Sequence, residues 1–352
     1  MTAPLEASDS KSISLVDATA IRRAVATTTT PATASEEDDD RGRDADGPSE
    51  IPALGWKDIA WRLWEEFNKD RILLIAAGAS FYLLLALFPA LAAFVSLYGF
   101  VADPVTVADH VAYIGGLLPP GGLEIIHQQL LALAHQNHST LGVGFFVGLA
   151  IALWSANSGI KALFDAMNIA YEETEKRSFL QLNLLSIATT IGAILIGIAL
   201  LLTVGVVPAV LAYLYLDTWT EWLVAVARWP VLIIATMAGI SFLYRFGPSR
   251  EHAKWRWLSW GAMLATLGWI AASWLFSFYL QNFADYNATY GSLGAVVGLM
   301  MWTWISVIIV IVGAAVNAEM EHQTARDSTT GAPLPMGSRG AFVADTLGKS
   351  SE

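Results

Sequence analysis

Six long stretches of this chain contain no aspartate, glutamate, lysine or arginine, apart from Arg228 in the fourth. A helix needs about 20 mostly apolar residues to cross a bilayer, because in hydrocarbon it must satisfy its own backbone polar groups. The stretches therefore predict an all-α fold, a polytopic integral membrane bundle of six transmembrane helices. The predicted spans are residues 72–102, 142–160, 178–216, 222–244, 257–284 and 286–318.

The distribution of lysine and arginine predicts the orientation of these spans. Short loops rich in basic residues stay in the cytoplasm. The loops on one side of the predicted bundle hold 11 basic residues, whereas those on the other side hold only Arg228. We therefore expect both termini to face the cytoplasm.

The two ends of the chain differ from the spans in composition. Residues 1–50 hold 11 acidic and 5 basic side chains and few aromatic ones, which is typical of a disordered acidic tail. Residues 323–352 are again polar and predict a second disordered tail, which leaves residues 51–322 as the membrane domain. The net charge of −11 argues against a nucleic-acid partner, because binding to phosphates needs clustered basic residues.

A segment before the first span has helical periodicity. Residues 54–70 place Ile59 and Trp64 on one face and Arg62 on the opposite face. This pattern predicts an interfacial helix lying on the inner leaflet. The first turns of a packed juxtamembrane helix would give the same pattern.

A row of polar residues follows the second predicted span. Asn157, Lys161, Asp165 and Asn168 are spaced by 4, 4 and 3 residues, so they share one face of a helix. Ionisable groups at membrane depth usually face the interior of a bundle, where they mark a pathway or form a structural pair. Both interpretations stay open for this row, which we call the polar stripe.

Further polar residues lie at the predicted inner ends of later spans. Arg245 ends the fourth span, and Asn317 and Glu319 end the sixth. With the polar stripe they are the candidate lining of an inward-facing substrate pathway. In this hypothesis Asn317 and Glu319 pair with Lys161 or Arg245.

The junction between the fifth and sixth spans is rich in polar and aromatic side chains. It is either a structured hairpin cap or an outer gate that contacts a substrate. The hairpin candidates are Asn282, Asp285, Tyr286, Asn287, Tyr290 and Gly291.

The sequence predicts no catalytic residues, no metal site and no cofactor. There is no cysteine, and the histidines lack the spacing of zinc motifs. Glu172, Glu173 and Glu175 are acidic but scattered, without the basic groove that an RNA substrate needs.

Four motifs carry a resemblance to a known family: "AAGASFYLLLALFPAL", "WSANSGIKALFDAMNIAYEETEKRSF", "FLYRFGP" and "NFADYNATYGSLGAVVGLMMW" with "GAAVNAEM". In this order they make the chain resemble the YihY/BrkB family of bacterial inner-membrane proteins over residues 56–322, once labelled ribonuclease BN. The resemblance implies a six-helix bundle in the cytoplasmic membrane with both ends inside.

Three functions follow as hypotheses. The first is transport or lipid and envelope handling, with the bilayer as partner and a lipid or small solute as substrate. The second is a scaffold that transports nothing, in which the polar stripe only fixes the register of helices. The third is the older ribonuclease label, which the scattered acids make the weakest.

Overall fold

The computed structural model describes residues 40–98, 143–201, 218–282 and 294–351. These ranges contain one short 3-10 helix, Pro48–Glu50, and eight α-helices. The helices are α1 Ala53–Lys69, α2 Ile72–Tyr98, α3 Val143–Ala170, α4 Phe179–Leu201, α5 Thr218–Phe246, α6 Trp255–Asn282, α7 Gly294–Glu321 and α8 Phe342–Asp345. The predicted all-α class is confirmed for the described part of the chain.

Several of these helices have the length and composition of membrane spans. Within the described residues, four qualify: Phe179–Ala199, Trp229–Phe246, Trp255–Asn282 and Val296–Glu321. Helix α1 and the first part of α2 have the length and composition of a span only when they are taken together. The chain bends by 63° between these two helices, and the pair would make a fifth span. The described residues therefore hold four to five helices of this kind, and the count of six spans stays a prediction.

Small residues bring the helices together. Ala76 and Ala79 of α2 are buried in the central core, together with Ala262 and Ala265 of α6 and Ala314 of α7. Membrane helices associate through such small side chains because hydrophobicity gives no preference between protein and lipid. One close approach is at Gly261 of α6, whose added Cβ would collide with the backbone oxygen of Gly313 on α7.

The buried face of α1 differs from the predicted one. Asp58 and Arg62 are buried together with Ile59, whereas Trp61 and Trp64 are exposed, Trp64 by 73%. The prediction that Arg62 lies on an exposed polar face opposite the packed residues is wrong. The physical reason is that Glu319 of α7 and the C-terminal segment lie against this side and give the buried charges partners.

The polar ends of the chain are ordered where the structure describes them. Residues 323–352 were predicted to be disordered, but in the described part of this segment Gln323, Thr324 and Ser328 are fully buried. The amide and hydroxyl of Ser351 both donate to Asp58 of α1, at 2.8 and 2.7 Å. Hydrogen bonds to buried partners thus add to the apolar burial of Val343 and Ala344 in this segment. Residues 1–39 of the predicted N-terminal tail lie outside the described residues, whereas residues 40–50 pack beside α1.

Candidate functional site

A partly open cavity of about 440 Å³ lies between the helices of the bundle. Its wall comes from five helices: α2, α3, α5, α6 and α7 contribute Leu83, Leu163, Ile240, Trp269 and Val307 among others. Volumes of this order are usual for small-molecule sites, which occur between the helices of bundles. The cavity is therefore the first candidate for a ligand site.

Besides Thr236 of α5, the cavity wall holds four polar side chains, and these four have partners within the bundle. Thr303 and Ser306 of α7 donate to carbonyls one turn earlier on their own helix, both at 2.8 Å. Trp269 of α6 donates its ring N–H to the Ser306 hydroxyl at 3.0 Å, and Trp302 donates to Ser273 at 3.1 Å. With these donors satisfied and leucine, isoleucine and valine around them, the cavity suits an apolar ligand.

The first two residues of the polar stripe, Asn157 and Lys161, lie at the contact between α3 and α4. Lys161 donates to the side-chain oxygen of Asn183 at 2.6 Å, and the hydroxyl of Thr190 lies 3.5 Å from the side-chain oxygen of Asn157. Asn183, Ser186 and Thr190 are all buried. Sequence reasoning missed this row on α4, although its spacing of 3 and 4 within a charge-free stretch is the signal of a polar helix face.

The last two residues of the polar stripe, Asp165 and Asn168, have different surroundings. Asp165 is exposed and makes no hydrogen bond or ion pair to the described residues. Asn168 is buried and turns to the loops instead, where it accepts from the Ser249 amide at 2.7 Å and donates to Glu175 at 3.1 Å. The four residues therefore do not line one surface.

The three later candidates are not joined to the stripe. Arg245 donates to the Ala253 carbonyl at 2.6 Å and stacks over the ring of Trp255, 4.6 Å from its centroid. Asn317 bridges the backbone of α6, accepting from the Gly261 amide at 2.8 Å. Glu319 pairs with Arg62. The predicted pairing of Asn317 and Glu319 with Lys161 or Arg245 is thus wrong, and none of the seven residues lines the apolar cavity.

Two buried ion pairs hold the end of the bundle at which α7 finishes, which we call the capped end. Arg250 and Glu321 form a bidentate pair at 2.7 and 3.3 Å, and Ser328 donates to the same carboxylate at 2.6 Å. Arg62 pairs with Glu319 and donates to the Gln323 side chain at 2.8 Å. These charges are compensated inside protein, where an unpaired one would be very costly.

The acidic residues of the α3–α4 loop also serve the capped end. Glu173 accepts from the Phe342 amide and from Lys176, both at 2.7 Å. A hydrogen bond from Arg177 outweighs burial and lowers the pKa of Glu175 to about 2. Within the described ranges, no group of three or more His, Asp or Glu residues could hold a metal ion.

The outer hairpin candidates fall almost entirely outside the described residues. Asn282 is the last residue of α6, where it is exposed and donates to the Phe278 carbonyl at 2.8 Å. Asp285, Tyr286, Asn287, Tyr290 and Gly291 lie outside the described residues.

Comparison with known proteins identifies the family. The family described as "Virulence factor BrkB" matches residues 63–335, which is most of the chain. The chain belongs to the BrkB family. This agrees with the resemblance inferred from the motifs, and it makes the chain a membrane protein of the BrkB type.

Curated BrkB relatives carry two kinds of name. "Putative ribonuclease-like protein YfkH" of Bacillus subtilis is 34% identical over 253 residues, which cover 69% of this chain and 88% of the relative. "UPF0761 membrane protein IL2447" of Idiomarina loihiensis is 27% identical over 60% of this chain and 72% of its own. A "UPF0761 membrane protein" of Albidiferax ferrireducens is 27% identical over 78% of this chain and 65% of its own. No solved structure matches the chain.

Proposed function

We propose that this BrkB protein handles a lipid in the bacterial cytoplasmic membrane. In this proposal the chain crosses the membrane six times with both termini in the cytoplasm, as the basic loops predict. The observation that carries the lipid assignment is the apolar cavity of about 440 Å³ between the helices.

The cavity favours a lipid over a polar solute. A solute that is stripped of water needs hydrogen-bonding partners along its path, because burying an unsatisfied polar group costs several kcal/mol. The Thr303 and Ser306 hydroxyls in the cavity wall donate to their own helix, so the wall suits an acyl chain better than a sugar or an ion. The polar stripe, proposed from sequence as a pathway, is better placed to fix the register of α3 against α4 through Lys161 and Asn183.

The name of the Bacillus relative suggests ribonuclease activity as an alternative. An RNA substrate needs a basic groove for its phosphates. The described cavity is apolar, and the Glu173 carboxylate is engaged by Lys176 and the Phe342 amide. We therefore prefer lipid handling.

Filling the cavity tests this function. In proteoliposomes that contain a phospholipid with a photoreactive acyl chain, the wild-type protein is expected to form covalent adducts at cavity residues. Leu163→Trp and Ile240→Trp place extra side-chain volume in the cavity. Each is expected to lower the adduct yield at these residues about tenfold, corresponding to roughly 1.4 kcal/mol of binding free energy. Mass spectrometry of the labelled peptides measures both yield and position.

Leu267→Trp is the matched control, because Leu267 lies on α6 and is 56% exposed. Adducts on the lipid-facing surface should be the same in all variants. If wild-type protein is labelled only on that surface, or if Leu163→Trp leaves cavity labelling unchanged, the cavity does not hold lipid.

A further inference from the structure

Two opposite charges lie one helical turn apart on α3 without forming an ion pair. Lys161 is partly buried, and its amine donates to the neutral side chain of Asn183 at 2.6 Å. Asp165 is exposed four residues later on the same face, and the structure gives it no hydrogen bond or ion pair to the described residues. Because residues at i and i+4 are neighbours on a helix, both charges are available to one ligand.

The surroundings of this pair are apolar and exposed. The Lys161 amine lies 5.5 Å from the ring of Trp154, which is 60% exposed. On the neighbouring helix, Phe179 is 77% and Leu184 61% exposed. Large exposed apolar side chains on a membrane helix face acyl chains, so the ligand with access to Lys161 and Asp165 is a lipid.

The pair also lies near the end of α3 that leads into the loop to α4. Helix α3 ends at Ala170, so Asp165 is about 8 Å and the backbone of Lys161 about 14 Å from that end at 1.5 Å per residue. The amine reaches Asn183, which is only one turn into α4. The amine of Lys161 thus lies between the Trp154 ring and the first turn of α4.

The opposite charges of Lys161 and Asp165 determine which lipid headgroup fits the site. The nearest other charged residues, Glu175 and Arg177, pair with each other at 2.7 Å. A headgroup with only a phosphate would satisfy Lys161 but would approach Asp165, which is negative. We propose that Lys161 and Asp165 bind a phospholipid with a primary amine, the phosphate at Lys161 and the ammonium group at Asp165.

This headgroup site is separate from the apolar cavity. Leu163, which lines the cavity, is two residues from both Lys161 and Asp165, and two residues correspond to roughly 200° around a helix. It therefore lies on nearly the opposite face of α3. The headgroup site can be present whether or not the cavity holds a lipid.

Native mass spectrometry of the purified full-length protein tests the site. We would add phosphatidylethanolamine, phosphatidylglycerol or phosphatidylcholine with identical acyl chains. Wild-type protein is expected to bind phosphatidylethanolamine about tenfold more tightly than the other two, because each charge-assisted hydrogen bond contributes on the order of 1.5–3 kcal/mol. Phosphatidylglycerol lacks the ammonium group, and the quaternary amine of phosphatidylcholine has no N–H to donate.

Two substitutions test the contribution of each charge to lipid binding separately. Asp165→Asn should abolish the preference for phosphatidylethanolamine over phosphatidylglycerol, and Lys161→Gln should weaken both. Because Asp165 is exposed and makes no hydrogen bond or ion pair to the described residues, Asp165→Asn tests the site even if Lys161→Gln folds poorly. Lys57→Gln on α1 is the control, which should leave all three affinities unchanged.

The site is contradicted if wild-type protein binds phosphatidylethanolamine and phosphatidylglycerol equally, or if Asp165→Asn keeps the preference. Leu163→Trp separates this result from the cavity proposal, because filling the cavity should leave the headgroup preference intact.

Discussion

Arg250→Ala is expected to destabilise the folded protein by about 3–5 kcal/mol, the usual effect of breaking a buried ion pair. The guanidinium makes a bidentate contact with Glu321, and the side chains of both residues are almost completely buried. Its removal leaves the Glu321 carboxylate buried with Ser328 as its remaining side-chain partner. The thermal midpoint in detergent and the monodisperse fraction on size exclusion measure the loss.

Lys69→Ala is the matched control, because Lys69 forms an ion pair with Glu66 but is 60% exposed. Exposed pairs contribute only about 0–1 kcal/mol, so the control should resemble the wild type. The double variant Arg250→Met, Glu321→Leu should recover much of the stability, since it leaves no unpaired charge. Equal effects of Arg250→Ala and Lys69→Ala would mean that the capped end is not held by buried charges.

Gly261→Ala is expected to destabilise the contact between α6 and α7 by about 1–3 kcal/mol, as overpacking of a tight interface does. The added Cβ would collide with the Gly313 backbone oxygen and with the Asn317 side chain. Either the helices move apart or Asn317 gives up its hydrogen bond to the Gly261 amide. The thermal midpoint again measures the effect.

Gly239→Ala on α5 provides the comparison. Gly239 is an exposed residue in the middle of its helix, and an added Cβ would meet nothing within 4 Å. Alanine is a better helix former than glycine by about 1 kcal/mol, so this variant should be neutral or slightly more stable. A Gly261→Ala variant as stable as Gly239→Ala would show that α6 and α7 do not meet as closely as described.

The positions of the long helices were largely predictable, because the length of an uninterrupted apolar stretch indicates a membrane helix. The fifth predicted span, residues 257–284, corresponds to α6 at Trp255–Asn282. The third was predicted to run over residues 178–216, and its beginning agrees with α4 at Phe179. Charge-free stretches locate the interiors of these helices well. The predicted number of spans stays a prediction, because parts of the predicted spans lie outside the described residues.

The capped end could not be predicted from local patterns. Arg62 and Glu319 are 257 residues apart, and Ser351 and Asp58 are 293 apart. A polar segment with few apolar residues has the composition of a disordered tail, and only its distant partners make it ordered. For the same reason the helical periodicity of α1 predicted a polar face for Arg62, whereas the structure buries Arg62 against α7.

The polar stripe was predictable as a helix face but not as a set of contacts. The partners of Asn157 and Lys161 are Thr190 and Asn183, on a helix for which the sequence suggested only a membrane span. The apolar cavity left no sequence signal, because its leucines and valines resemble those that face lipid.

Cysteine accessibility tests most directly whether water reaches the apolar cavity. The chain has no cysteine, so Ser306→Cys introduces a single thiol in the cavity wall. In proteoliposomes, a membrane-soluble maleimide is expected to modify this thiol, whereas charged thiosulfonates added to either side are expected to leave it unmodified. The same charged reagents should modify a Lys57→Cys control in permeabilised vesicles. Rapid modification of Ser306→Cys by the charged reagent would mean that water reaches the cavity, which would contradict a lipid-binding interior.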